Sequence, residues 1–369
     1  MSSITYFRLK ESLLCSLFCL VSVLVLGQNL HWSDPIEQDA LSGRIPQVEK
    51  EDGYLRLPSS MENQVRDAVW RLAKDDAGVY VDFTTTADRI EVAYTVSKNL
   101  SMAHMPATGV SGLDLYARSA DSDQWGWIHG KYDFSDTVRY SFTGFQSDSL
   151  RQYRLYLPLY NAVTWLQIGV DKGHDLHFNT SKVSPIVVYG TSIAQGACAS
   201  RPGLAWTNRL GRVMDHEVIN LGFSGNGRLE SELLHLIRDV DAAAFILDCI
   251  PNLSVQGEGG KENLIRLIEN AVAIIREKHA DVPIVFAAHS ASQVDGVLNF
   301  TTTKEYDLRS EVAETTVKKL IKEGDSSLFW LSTDALDMDK ESTVDYAHPN
   351  DYGMGKIAEA YQRLLLEIL

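Results

Sequence analysis

The chain has 369 residues, of which 45% are hydrophobic and 22% are charged. This balance is that of a globular protein, and the length is sufficient for two domains. The formal net charge of −15 disfavours nucleic acid as a partner, because an acidic surface repels the phosphate backbone.

The N-terminus has the composition of a secretory signal peptide. Arg8 and Lys10 provide positive charge, an apolar run covers residues 13–26, and Gly27 is a small residue before a polar stretch. The run is shorter than the roughly 20 apolar residues of a membrane span. We expect residues 1–27 to be cleaved, which predicts a secreted or periplasmic protein without stable membrane insertion; an uncleaved N-terminal anchor is the alternative.

Two of the four cysteines, Cys15 and Cys19, lie in this segment, so the mature chain keeps only Cys198 and Cys249. Two cysteines form neither a disulfide framework nor the ligand spacing of a zinc site, so we predict no metal. The sequence leaves open whether the remaining pair forms one disulfide or two free thiols.

Residues 28–181 are predicted to form a domain of β structure. Short strands are predicted at 79–84, 89–96, 112–118, 124–129, 151–157 and 164–170, after a short helix at 61–72. Short strands at this spacing, without long helical patterns, favour a β-sandwich. We expect Trp125, Trp127 and Trp165 to pack inside it; stacking on sugar rings is the alternative.

Residues 182–369 alternate strands with helices. The strands are predicted at 186–190, 217–221, 243–249, 283–288 and 328–331, and the helices at 204–214, 229–239, 261–279, 311–322 and 350–369. This order predicts an α/β domain in which helices cover both faces of a parallel sheet. Because ligands bind beyond the carboxyl ends of such strands, we look for reactive residues there.

Each of the first three strands of this domain is followed by a segment that contains candidate reactive or hydrogen-bonding groups. Ser192 follows Gly190 at the first strand end, where a glycine permits a tight exit and the serine opens a helix. The glycine-rich loop, residues 222–227, follows the second strand and offers unhindered amides. Asn252 presents a side-chain amide after the third strand. Taken singly, each segment is also typical of an ordinary turn.

Asp345 lies three residues before His348, near the C-terminus. At this spacing a carboxylate can accept the Nδ1–H of the ring while the other nitrogen points outward. A surface pair or half of a metal site is the alternative. His289, after the fourth strand, is placed to line the same cleft, but no carboxylate partner is evident near it.

Together these segments resemble the four blocks of the SGNH (GDSL-like) hydrolases, over residues 184–369. Ser192 is similar to the nucleophile block, although Thr191 stands where the family has aspartate. Gly225 is similar to the glycine block. Asn252 is similar to the asparagine block, with Asn226 as its rival.

The last block matches in full at Asp345 and His348. The resemblance implies a serine esterase with Ser192, Asp345 and His348 as its catalytic triad and with neither metal nor organic cofactor. It also implies an oxyanion hole made by the backbone amides of Ser192 and Gly225 and the side chain of Asn252.

The β half contains a second resemblance. Gly112-Leu-Asp-Leu-Tyr116 is similar to the Gly-x-Asp-Leu-Tyr signature of an accessory domain that precedes some bacterial SGNH esterases. Together the two resemblances imply a jelly-roll-like sandwich before a three-layer α/β/α domain, and a carbohydrate acetylesterase acting on an acetylated carbohydrate or another small ester. The alternatives are a generic short-chain esterase or lipase, and an inactive carbohydrate-binding protein.

Overall fold

The computed structural model describes residues 29–119, 124–145, 150–181, 183–291 and 300–369. The predicted signal peptide, residues 1–27, lies outside these ranges. Within them, every helix is too short or too polar to cross a membrane.

The N-terminal part of the chain forms two antiparallel sheets. Their strands are β1 (Leu30–Ser33), β2 (Leu41–Ser42), β3 (Tyr80–Thr85), β4 (Arg89–Val96), β5 (Asp114–Ser119), β6 (Gly126–Ile128), β7 (Lys131–Asp133), β8 (Val138–Thr143), β9 (Arg151–Tyr156), β10 (Val163–Asp171) and β11 (Leu176–Asn179). One sheet has the order β1-β10-β4-β8-β7 and the other β11-β3-β9-β5-β6, with β2 beside β3. The prediction of a β-sandwich is confirmed.

The apolar core of the sandwich lies between the two sheets. Phe83 and Leu155 from one sheet and Val92 and Leu166 from the other are buried in the same cluster. On β8 the burial alternates along the strand, because successive side chains point to opposite faces. The sandwich is therefore held by the inward-facing half of each strand.

The prediction that Trp125, Trp127 and Trp165 pack inside the sandwich was wrong. Trp127 is 46% exposed and Trp165 is 39% exposed, and Trp125 is only half-buried. Trp127 lies on β6, at the edge of its sheet, and Trp165 follows a shift in the register between β10 and β4. Strand propensity predicted the strands but not which face of the sheet is covered.

The C-terminal part contains a parallel sheet. Its strands are β12 (Ile186–Gly190), β13 (Val218–Gly222), β14 (Ala244–Asp248), β15 (Ile284–Ala287) and β16 (Leu328–Leu331), in the order β13-β12-β14-β15-β16. All five residues of each of β12, β13 and β14 are buried, as expected when helices cover both faces. The predicted α/β domain is confirmed.

The α-helices of the described residues follow in chain order. They are α1 (Asp67–Ala73), α2 (Ala107–Val110), α3 (Ser192–Gln195), α4 (Trp206–Met214), α5 (Ser231–Arg238), α6 (Gly260–Arg276), α7 (Phe300–Lys322), α8 (Thr333–Leu336) and α9 (Asp351–Ile368). Helices α5, α6 and α7 contribute to the core on one face of the parallel sheet, and α3, α4 and α9 to the core on the other face.

Arg56 joins the N-terminal chain to the parallel sheet. It is fully buried, and its guanidinium carbon lies 5.0 Å from the centre of the Phe223 ring. Its nitrogen atoms donate to the backbone carbonyls of Leu72, Asp75, Asn220 and Gly222. Burial lowers its pKa to about 10. Since two of these carbonyls belong to the end of β13, the arginine fixes the position from which the glycine-rich loop leaves the sheet.

The Gly-x-Asp-Leu-Tyr signature forms a second junction. Asp114 accepts hydrogen bonds at 2.8 Å from the guanidinium of Arg201 and at 2.7 Å from the Gly203 amide. Arg201 also donates to the Tyr116 hydroxyl at 2.9 Å. The Asp and Tyr of the signature therefore hold the start of the segment that leads into α4.

Candidate active site

Ser192 lies at the carboxyl end of β12, as the first residue of the single-turn helix α3. Thr191 caps this turn, since its hydroxyl accepts the Ile193 amide at 3.3 Å. A Cβ atom at Gly190 would lie 2.6 Å from that of Ala194. Only glycine therefore allows the helical turn to sit so close to the strand, and this approach brings the Ser192 hydroxyl to the rim of the sheet.

His348 lies in the turn before α9, and its ring contacts the hydroxyl of Ser192. Its Nε2 atom lies 2.8 Å from Ser192 Oγ, and its Nδ1 atom lies 2.8 Å from Asp345 Oδ2. The other carboxylate oxygen, Oδ1, accepts the backbone amides of Ala347 and His348. A single carboxylate therefore shapes the turn and orients the ring. The structure brings all three predicted triad residues together.

The half-exposed Asp345 is held in its ionised form. Burial alone would raise its pKa, but the hydrogen bonds from the amide and ring of His348 outweigh this and bring the pKa below its ordinary value. Tyr346, inside the same turn, has a φ of +70°, which is unusual for a bulky residue. The turn thus holds a strained residue between the carboxylate and the imidazole.

The glycine-rich loop lies against α3. Gly222 and Gly227 have no space for a side chain, because Cβ atoms there would lie 2.1 Å from the Gln195 nitrogen and 2.0 Å from the Gly190 oxygen. Gln195 also accepts the Ser224 amide at 2.9 Å. Gly225, at the exposed tip, has a φ of +69°. The loop is thereby anchored close to the Ser192 amide, which as the first of a helix has no acceptor within it.

The two rival asparagines have different surroundings. In Asn226, Oδ1 accepts from Arg66 at 2.7 Å and Nδ2 donates to the Ser224 carbonyl at 2.8 Å. In Asn252, the orientation that satisfies the amide directs Oδ1 to the backbone nitrogens of Asn226 and Gly227, at 3.0 and 3.1 Å. Its Nδ2 then faces away from these two amides. Both the oxygen and the nitrogen of the Asn226 amide are therefore hydrogen-bonded, whereas Asn252 supports the loop through its oxygen alone.

His289 lies near His348. Among the described residues, no carboxylate forms a hydrogen bond with its ring. Its ring stacks on Tyr306, with centres 3.9 Å apart. Burial, with the positive charges of Arg309 and His348, lowers its pKa to about 3. His289 is therefore uncharged at neutral pH, and its buried Nδ1 atom has no hydrogen-bond partner among the described residues.

Both cysteines of the C-terminal part are buried free thiols. Burial, with the charge of Asp345, raises the pKa of Cys198 to about 11. The described residues contain no group of three His, Cys, Asp or Glu side chains placed to hold a metal ion.

Asp248 is a buried carboxyl group beside the site. It ends β14 opposite Gly190, and only 4% of the residue is exposed. No hydrogen-bond or ion-pair partner reaches its side chain from the described residues. Burial raises its pKa to about 7.

This burial predicts a pH-dependent effect of the Asp248→Asn substitution. From the ordinary pKa of 3.8 up to about 7, the unfolded chain loses the proton while the folded chain keeps it, so stability falls as the pH rises. An amide of the same shape avoids this cost. Thermal unfolding should show a stabilisation of up to about 4 kcal/mol at pH 8 and little change at pH 4. An equal effect at both pH values would contradict this account.

Two family models match the chain. The GDSL-like lipase/acylhydrolase family matches residues 183–366, and the GxDLY model, described as the N-terminus of SGNH-hydrolase-type esterases, matches residues 30–176. The fold and the family define a carboxylic ester hydrolase. The chain belongs to the SGNH (GDSL-like) family with a GxDLY N-terminal domain.

Solved structures agree in fold. A protein from Bacteroides ovatus ATCC 8483 named as a GDSL-like lipase is 29% identical, with a TM-score of 0.82, over 92% of this chain and 99% of that chain. The salicylyl-acyltransferase SsfX3 of a tetracycline biosynthetic pathway is 20% identical, with a TM-score of 0.71, over 92% and 98%. A family two carbohydrate esterase from Cellvibrio japonicus is 12% identical, with a TM-score of 0.51, over 79% and 89%. No curated protein matches the sequence.

Proposed function

We propose that the protein is a secreted esterase that removes O-acetyl groups from carbohydrate through a serine nucleophile. The observation that carries the proposal is the chain of two 2.8 Å hydrogen bonds from Ser192 through His348 to Asp345. At such distances the imidazole can take the hydroxyl proton as the oxygen attacks, and the carboxylate stabilises the charged ring.

The reaction proceeds in two steps. Ser192 Oγ bonds to the ester carbonyl carbon, and its proton moves to Nε2 of His348. The C–O bond to the sugar then breaks, and the sugar oxygen leaves with that proton. In the second step His348 takes a proton from water, the hydroxide attacks the acetyl-serine, and acetate leaves as the serine recovers its proton.

The negative oxygen of the intermediate needs donors on the opposite side from the histidine. The backbone amides of Ser192 and Gly225 and the side chain of Asn252 are proposed for this role. The anchoring of the glycine-rich loop to α3 supports it, because donors that are fixed before the reaction stabilise charge without reorganising.

Several features favour acetylated carbohydrate. The carbohydrate esterase from Cellvibrio japonicus has the same overall fold. Trp127 and Trp165 expose aromatic rings on the sandwich, and such rings stack on sugars. Secretion, proposed from the sequence of residues 1–27, would place the enzyme where polysaccharides are found.

Acetate release tests the proposal. The purified protein would be incubated with 4-nitrophenyl acetate, with a panel of acetylated polysaccharides and with long-chain acyl esters, and Ser192→Ala would set the background. We expect turnover of the acetyl ester and of at least one polysaccharide. Preference for long acyl chains would instead indicate a lipase, and turnover no greater than that of the serine variant would indicate an inactive binding protein.

A further inference from the structure

A basic cleft lies beside the glycine-rich loop. Its volume is about 660 Å³, and it opens between that loop, the end of α1 and the segment after β4. We use the name basic cleft for this space, whose charged lining residues are Arg71, Lys74, Lys98 and Asp75.

The basic cleft adjoins the proposed reaction centre. Ser224 and Asn226 line it, and these residues flank Gly225. Tyr160 also lines it, and its hydroxyl donates to the Ser192 carbonyl at 3.4 Å. A single molecule could therefore place an ester at Ser192 and another group in the cleft.

The charge of the cleft is opposite to that of the whole protein. Three basic side chains face one acid in a chain of net charge −15. The acid, Asp75, is already paired with Lys98 and is buried, which raises its pKa. Neither Arg71 nor Lys74 has an ion-pair partner among the described residues, and the Lys74 ammonium lies over the Trp70 ring, 5.6 Å from its centre. Two cations thus remain available to an incoming anion.

The rest of the lining suits an organic anion. Leu72, Met102 and Val110 give the cleft an apolar wall beside its charged rim. A carboxylate attached to a ring or a short chain matches both parts, because the guanidinium can bind the two oxygens while carbon atoms cover the apolar wall.

We propose that the basic cleft is a subsite for a carboxylate carried by the ester substrate. The proposal rests on the proposed function in that the occupant is taken to be part of that substrate. The carboxylate has two chemical sources: a uronic acid unit of the carbohydrate, or the free end of a dicarboxylic acyl group.

Calorimetry with ligands that carry no ester tests the subsite. The protein would be titrated with oligogalacturonate, with succinate and with a neutral cello-oligosaccharide at low ionic strength. We expect at least one carboxylate ligand to bind, and to bind more weakly as salt screens the charges. Oligogalacturonate binding indicates the sugar as the source, and succinate binding alone indicates the acyl group. Failure of both to bind would overturn the proposal.

Substitution locates the binding in the cleft. The double variant Arg71→Gln/Lys74→Gln should raise the Kd of the carboxylate ligand about tenfold, since it removes two exposed ion pairs. The control Lys131→Gln/Arg139→Gln removes the same charge from exposed positions on β7 and β8 and should change the Kd less than twofold. Equal weakening by both variants would overturn the assignment to this cleft.

The two proposals fail separately. Carboxylate binding without ester turnover would remove the proposed function and leave an anion-binding cleft. Ester turnover without carboxylate binding would remove the subsite alone.

Discussion

Ser192→Ala and His348→Ala are each expected to lower kcat for 4-nitrophenyl acetate by about 10⁴- to 10⁶-fold. The physical reason is that the hydroxyl and the ring act as one unit, joined by the 2.8 Å hydrogen bond, so the loss of either ends proton transfer. The double variant should be no slower than the single ones, because the second change removes nothing that still operates. Steady-state kinetics on all three variants measure this.

An exposed histidine provides the control for this prediction. His235 lies on α5, distant in sequence from both blocks, and its replacement by alanine should leave kcat within about twofold of the native value. Circular dichroism would verify that each variant is folded. Retention of most activity by His348→Ala would show that another group serves as the base and that the observed hydrogen bond is incidental.

Asn252→Ala is expected to lower kcat by about 10²- to 10³-fold, with a small effect on KM. A donor to the oxyanion acts on the negative charge that develops during the reaction, so its loss affects the transition state more than the bound ester. The matched control is Asn226→Ala. Since both ends of the Asn226 amide are occupied by Arg66 and Ser224, its loss should lower kcat less than about tenfold.

A second variant separates the donor from the support that Asn252 gives to the loop. Asn252→Asp keeps an oxygen that can accept the amides of Asn226 and Gly227 but replaces the nitrogen donor with a second oxygen. Its kcat should fall at least as far as that of Asn252→Ala, while its thermal stability stays near the native value. The opposite ranking, with Asn226→Ala the more damaging change, would assign the oxyanion donor to Asn226.

The parallel sheet was predictable because its strands are buried on both faces. β12 and β16 were predicted at their observed bounds, and β14 within one residue at each end, since continuous apolar runs have sharp limits. The sandwich was predicted less completely: β1, β2, β7, β8 and β11 were not identified. Several of these are strands of two to four residues at the edges of the sheets, where length and burial provide little pattern.

The segment between β2 and β3, which was predicted as part of the N-terminal domain, also could not be assigned from pattern. This segment contributes Ile45, Leu57 and Val69 to the core cluster that also contains the apolar face of the parallel sheet. An apolar residue in the sequence indicates that its side chain will be buried, but it does not indicate which sheet will cover it. The burial of Arg56 was even harder to predict, because an arginine in a sequence ordinarily indicates an exposed side chain.

The sequence by itself determined the local parts of the site. The three-residue spacing of Asp345 and His348 lies within one turn, and the glycine before Ser192 is required by the contact of strand and helix, so both follow from nearby residues. The resemblance to a known family predicted that these parts form one site.

Only the tertiary structure decided how the parts meet. Ser192 and His348 are 156 residues apart, and the packing of α3 and α9 on the same sheet face sets the distance between their side chains. The different surroundings of Asn252 and Asn226, and the assembly of a basic cleft from α1, the segment after β4 and the glycine-rich loop, depend on packing in the same way. The physical reason is that turn geometry acts over a few residues, whereas long-range contacts depend on the complete core.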